Sequence, residues 1–82
     1  MKISYSEIDM LLDAGEKAKA IGDNERYLSI HLSLYYFTTN KSLVDVYIHD
    51  LSFLPDLSFE IFRKMVDWVD EEYLSHTEIK NK

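Results

Sequence analysis

The stretch from Tyr27 to Leu51 constrains the fold more than any other part of the chain. Apolar and polar side chains alternate along its first half, and the alternation returns in its second half after a polar break at 38–40. Side chains of a β-strand point to opposite faces with a period of two residues. The repeated alternation therefore predicts two strands joined as a β-hairpin, each with one apolar face.

The polar break sets the predicted register of this hairpin. A three-residue loop with Asn40 in the left-handed conformation, which Asn tolerates well, joins the strands without shifting their apolar faces apart. Leu32 then pairs with Val46 on the apolar face, and Tyr35 pairs with Leu43 on the other. A slip of one residue would place leucine opposite aspartate, so the pattern favours this register.

Two helices are predicted on either side of the hairpin. Ser4 and Glu7 have the S-x-x-E spacing of a capping box, and the helix that they start is expected to end at Gly22. Ser58 is a second N-cap, ahead of an amphipathic helix predicted from Phe59 to about Leu74.

The predicted fold class is α+β, in the order α-β-β-α, with the central β-hairpin packed against two helices. Residues 1–75 form a single domain in this interpretation, and residues 76–82 form a frayed C-terminal tail. The alternative is an all-α helical bundle in which residues 24–37 form a helix, because the leucines of this stretch also fit helical spacing.

Composition limits the partners that the protein can have. The chain has 82 residues, 15 acidic against 9 basic side chains, a net charge of −6 and no cysteine. An acidic surface repels nucleic acid and anionic lipid, so the expected partner is a protein with a basic surface. The lack of cysteine, of a signal-peptide pattern and of a membrane-length apolar run favours a cytoplasmic location.

No pattern in the sequence predicts an active site. Two glycines in the whole chain leave no phosphate-binding loop, and His31 and His49 are too few ligands for a metal site. The expectation is a non-enzymatic protein that needs no cofactor and works by binding.

Two surfaces are candidates for that binding. The first is acidic and consists of a cluster in each terminal helix: Asp9, Asp13 and Glu16, and Asp67, Asp70, Glu71 and Glu72. The second is the aromatic face of the predicted hairpin: Tyr27, Tyr35, Phe37 and Tyr47. Acidic groups can mimic the phosphates of a nucleic acid, whereas exposed aromatic rings are typical of interface hot spots and of self-association.

In size, charge and aromatic content the chain resembles the small phage-encoded inhibitors of bacterial defence, of the anti-CRISPR and anti-restriction type. The resemblance implies an acidic inhibitor that blocks a nucleic-acid enzyme in the cytoplasm of the host. Mimicry of a nucleic acid is one way in which such an inhibitor acts. The alternatives are an immunity protein or antitoxin against a basic nuclease toxin, and a dimerising interaction module of a bacterial regulator.

Overall fold

The computed structural model of the chain describes residues 1–74, and the predicted frayed tail at 76–82 lies outside them. Within the described residues the protein is all-α, so the predicted α+β fold with its hairpin is wrong and the alternative helical bundle is the correct architecture. The elements are α1 (Tyr5–Ala20), α2 (Asn24–Phe37), α3 (Leu43–Val46), which continues as a π-helical turn (Tyr47–Leu51), and α4 (Phe59–Val69), which continues as a π-helical turn (Asp70–Leu74).

Both ends of α1 are fixed by local hydrogen bonds. The predicted capping box is confirmed, because the backbone N–H of Glu7 donates to Ser4 Oγ and the N–H of Ser4 donates to Glu7 Oε1. At the other end, Gly22 has a positive φ of 78° and the N–H of Asp23 donates to the carbonyl of Ala18. This is the Schellman termination that glycine favours.

The residues predicted to form the first strand belong to α2. Asp23 starts it as an N-cap, accepting a hydrogen bond from the N–H of Arg26. The polar break that suggested a hairpin loop instead ends the helix, where Thr38 Oγ1 donates to the carbonyl of Leu34. A short alternating run matches strand and helix spacing almost equally well, and the capping groups at both ends decide for the helix.

The residues predicted to form the second strand belong to α3 and the π-helical turn that follows it. Ser42 caps α3 by accepting from the N–H of Asp45, and the run from Val44 to Ile48 is helical. Ser58 caps α4 as predicted, through a hydrogen bond from the N–H of Ile61.

The core lies where α2 meets the helices on its two flanks. Helices α1 and α4 each pack along α2. The π-helical turn after α3 contacts α4 through Tyr47, whose ring centroid lies 5.7 Å from that of Phe59 and 6.4 Å from that of Phe62. The buried apolar residues are Leu11, Ala18, Ile30, Phe37, Val46, Leu51, Leu57, Phe62, Val66, Val69 and Leu74. They come from every helix, so the described residues share one hydrophobic core.

Candidate functional site

The outward face of α2 carries apolar side chains that the fold does not cover. Leu28 is 44% exposed and Tyr35 is 45% exposed, and Leu32 lies between them, half-buried at the edge of the core. Their spacing of four and then three residues places all three on one side of the helix. We call Leu28, Leu32 and Tyr35 the α2 stripe.

The buried face of α2 is made partly of small polar residues. Ser33 is fully buried and Ser29 nearly so, and Ser33 Oγ has no hydrogen-bond partner. Four residues separate the two serines, so they lie on one face of the helix. Helix α2 thus buries serine and exposes leucine, the reverse of an ordinary surface helix.

Close packing also marks the contact between α2 and α1. A Cβ added to Gly15 would lie 2.9 Å from His31 Nε2, so only glycine leaves room for the imidazole there. The ring of His31 also contacts Tyr27, with centroids 4.3 Å apart. His31 therefore serves as a packing group between the helices, and its buried Nε2 is not presented to a ligand.

The α2 stripe lies in a part of the chain that has no formal charge. Residues 27–37 contain no Asp, Glu, Lys or Arg, in a protein with a net charge of −6. Charged residues are depleted at the centres of protein interfaces and enriched at their rims. The stripe therefore has the composition of an interface centre.

The stripe ends at a hydrogen-bonded ionic cluster. Lys41 Nζ lies 2.9 Å from one carboxylate oxygen of Asp50 and 3.2 Å from the other. Lys41, and then the nearby Tyr35 phenol, lower the pKa of Asp50, and the Asp50 carboxylate raises the pKa of Tyr35. Tyr35 therefore lies beside this ionic cluster at the end of the α2 stripe.

The other end of α2 is fixed by Arg26. Its Nη1 donates to the hydroxyl of Tyr73 at 2.9 Å, its Nε lies 3.4 Å from Asp23 Oδ2, and its guanidinium lies 5.0 Å from the ring centroid of Trp68. The hydrogen bond to Tyr73 contributes most to raising the pKa of Arg26. These contacts tie the start of α2 to the end of α4, so Arg26 has a structural role.

Two shallow grooves lie beside Arg26. One, of about 570 Å³, runs between α2 and α4 and is lined by Asp23, Glu25, Arg26, Ser29, Ile61, Lys64, Met65 and Trp68. The other, of about 470 Å³, is lined by Met10, Asp13, Ala14, Lys17, Ala18, Ile21, Asp23, Arg26 and Tyr73. Each groove combines two acids, two bases and apolar side chains.

The predicted acidic residues are all on the surface. Asp9, Asp13, Glu16, Asp67, Asp70, Glu71 and Glu72 are exposed. Asp13 forms an ion pair with Lys17 at 3.0 Å and lines the same groove as Tyr73, next to the second cluster. That groove lies between the helices that carry the two clusters.

The predicted aromatic face does not exist as one surface, because the hairpin that would have formed it is absent. Tyr27, Tyr35 and Phe37 belong to α2, and Tyr47 belongs to the π-helical turn after α3. Phe37 is buried, and Tyr47 is half-buried and donates its hydroxyl to the carbonyl of Leu57 at 2.7 Å. Tyr35 is the member of this set that combines exposure with a place in the α2 stripe.

Leu28 and Leu32 were not among the predicted site residues. A strand would have turned them toward the two flanking helices, and only a helix turns them outward. Their spacing to Tyr35 was the available signal, once residues 24–37 are taken as a helix.

Within residues 1–74, no His, Asp and Glu side chains come together in a group that could hold a metal ion. No helix in the same part of the chain is both long and apolar enough to cross a bilayer. No protein-family model matches the chain, and no curated protein or solved structure matches it either. Function must therefore be argued from the surfaces described above.

Proposed function

We propose that the protein is a non-enzymatic interaction module that binds another protein chain through the α2 stripe, as the dimerising part of a bacterial regulator does. One observation carries the proposal. Leu28 and Tyr35 are exposed within an uncharged run of the central helix, although the same helix buries two serines. Folding alone gains nothing from this arrangement, since exposed leucine contributes little to stability.

The stripe has the physical properties of a binding surface. Tyr35 offers a large ring with few rotatable bonds, and 45% of the residue is exposed. The leucines supply apolar area that a partner can remove from water. Arg26 and the close packing at Gly15 hold α2 in place on both flanks, so the stripe is presented on a rigid support.

The test compares two variants with matched exposure. Leu28→Asp places a charge in the stripe, whereas Val44→Asp does the same on α3, where the valine is 47% exposed. Each tagged protein is used to capture binding partners from a bacterial lysate that also contains an untagged copy of the protein. We expect Leu28→Asp to reduce capture of a partner at least tenfold and Val44→Asp to leave it unchanged, at low and high salt. Equal capture by the wild type and by both variants would contradict the proposal.

A second candidate function is supported by the acids. All seven predicted acidic residues are exposed, and three of them, Asp9, Asp13 and Glu16, follow one another along α1. Such a surface suits an acidic inhibitor of a nucleic-acid enzyme, or an immunity protein or antitoxin that neutralises a basic nuclease. We propose this as the alternative, with the cytoplasm as its location and no direct contact with nucleic acid.

Salt separates the two functions. Attraction between an acidic helix and a basic cleft is screened over about 8 Å at physiological ionic strength, so the association rate should fall steeply as salt rises. Reversing Asp9 and Glu16 to lysine should remove that dependence and weaken binding. Binding that survives high salt and the double reversal would exclude the acidic mechanism.

A further inference from the structure

We infer that the α2 stripe is covered by a second copy of this chain, with the two α2 helices packed antiparallel about a two-fold axis near Leu32. This inference rests on the proposed function and names the partner of the same site. It follows from the charge of the surface, the spacing of the stripe and the size of the patch.

Charge argues for self-association at this face. Two molecules of net charge −6 repel, and the repulsion is least where the contacting surface has no acid. Residues 27–37 contain no acid, and Asp50 at the end of the stripe is paired with Lys41 at 2.9 Å. The exposed Val44 of α3 and Ile48 of the following π-helical turn instead lie on either side of the exposed Asp45 in the sequence. A basic partner would gain more from the acidic helices than from the uncharged stripe.

The spacing of the stripe suits a symmetric pair of helices. Separations of four and three residues are those of a coiled-coil seam. In an antiparallel pair centred near Leu32, Leu28 of one copy meets Tyr35 of the second copy, and Tyr35 of the first meets Leu28 of the second. Each copy then contributes the same patch to the interface, as two-fold symmetry requires.

The size of the patch sets the expected strength. With 14 residues, α2 is about 21 Å long. Helix α4 adds the exposed Ile61, which lines a groove together with Ser29 of α2. A face of one helix with this addition is smaller than the roughly 800 Å² per partner of a standard stable interface. The dimer is therefore expected to form reversibly, with the monomer predominating on dilution.

Engineered cysteines test the arrangement directly, because the chain has none of its own. The full-length variants are Leu28→Cys, Leu32→Cys and Tyr35→Cys, with Val44→Cys as the surface control. A disulfide needs Cα atoms less than about 7 Å apart. In the antiparallel pair, two Leu28 positions lie about 10 Å apart along the axis, since seven residues separate Leu28 from Tyr35.

We expect Leu32→Cys to cross-link with itself under mild oxidation, and an equal mixture of Leu28→Cys and Tyr35→Cys to give mainly the mixed dimer. Leu28→Cys alone and Val44→Cys should cross-link at least tenfold more slowly. Sedimentation should show a concentration-dependent wild-type dimer, and Leu28→Asp should raise its dissociation constant at least tenfold. Circular dichroism checks that each variant is folded.

Other outcomes overturn the inference in distinguishable ways. Rapid self-cross-linking of Leu28→Cys without the mixed product would mean parallel helices, and cross-linking of Val44→Cys at the same rate as Leu32→Cys would mean random collision. If the wild type sediments as a monomer at every concentration, the inference that a second copy covers the α2 stripe is wrong. If a different protein were then captured in a Leu28-dependent way, the proposed function would stand without this partner, and if nothing were, both would fail.

Discussion

Helices α2 and α4 contrast sharply, although both belong to the same core. Helix α4 buries Phe62, Val66 and Val69 at helical spacing and exposes its charged residues. Helix α2 has apolar residues around most of its circumference and buries serines while Leu28 is exposed. An amphipathic helix is satisfied by one packing face, whereas a helix that is apolar all round needs more cover. The fold of one chain accounts for the residues of α4, whereas the exposed leucine of α2 is what the proposed contact with a second chain would account for.

The largest expected effect is a loss of stability when a buried side chain of α4 is removed. Phe62→Ala in α4 removes a fully buried ring and should lower the free energy of unfolding by about 3–5 kcal/mol. Leu28→Ala in α2 should change it by less than about 0.5 kcal/mol. Urea denaturation measures both. A comparable loss for Leu28→Ala at protein concentrations below dimer formation would show that the leucine belongs to the core, and the contrast would fail.

Gly15→Ala tests the close contact between α1 and α2. The added Cβ would lie 2.9 Å from His31 Nε2, so we expect a loss of about 1–3 kcal/mol despite the better helix propensity of alanine. The control is the same change in a His31→Ala background, where the clash is absent and Gly15→Ala should be neutral or stabilising. An equal loss in both backgrounds would show that the imidazole does not limit the approach of the helices.

Ser33→Ala tests whether burying a polar group in α2 lowers the free energy of unfolding. The buried hydroxyl of Ser33 lacks a partner, so its removal should raise the free energy of unfolding by up to about 1 kcal/mol. Ser52→Ala is the matched control, because Ser52 Oγ donates to the carbonyl of Ile48 at 2.8 Å and its loss should give no gain. Destabilisation by Ser33→Ala would mean that the hydroxyl is paired in solution.

The smallest effect concerns pH at the end of the stripe. Lys41, and then Tyr35, lower the pKa of Asp50 in the folded state. A lowered carboxyl pKa stabilises the fold at pH values above the unfolded pKa of about 4, and that contribution is lost as the pH falls through the folded value. Asp50→Asn should therefore lower the melting temperature slightly at pH 7, and this difference should shrink as the pH falls below about 4. A difference that persists unchanged at pH 2 would assign the effect to something other than ionisation.

The sequence predicted α1 and α4 from their capping groups, but α2 and α3 were predicted as strands although Asp23 and Ser42 cap them. The capping box at Ser4, the glycine at the end of α1 and the N-cap at Ser58 are confirmed, because each depends on neighbouring residues and one local geometry. The amphipathic pattern of α4 also predicted a helix, since Phe62, Val66 and Val69 recur at helical spacing.

The central stretch could not be settled in the same way. Alternation from Leu28 to Tyr35 satisfies the strand pattern, while the set Leu28, Leu32 and Tyr35 satisfies the helix pattern. The hydrogen bonds of Asp23 and Thr38 at the two ends favour the helix, and the packing of α1 and α4 along α2 adds a tertiary effect that no local pattern contains. The same ambiguity hid the α2 stripe, because the outward face depends on which structure is chosen.

The most direct test of the account is the behaviour of leucine and valine methyl groups in NMR spectra recorded over a dilution series. The account predicts that the methyl resonances of Leu28 and Leu32 shift with protein concentration and approach fixed values at high dilution. Those of Val66, buried in α4, and of Val44, exposed on α3, should stay constant. Leu28 and Leu32 resonances that do not depend on concentration, or shifts of equal size at Val44, would contradict the claim that two copies meet through α2.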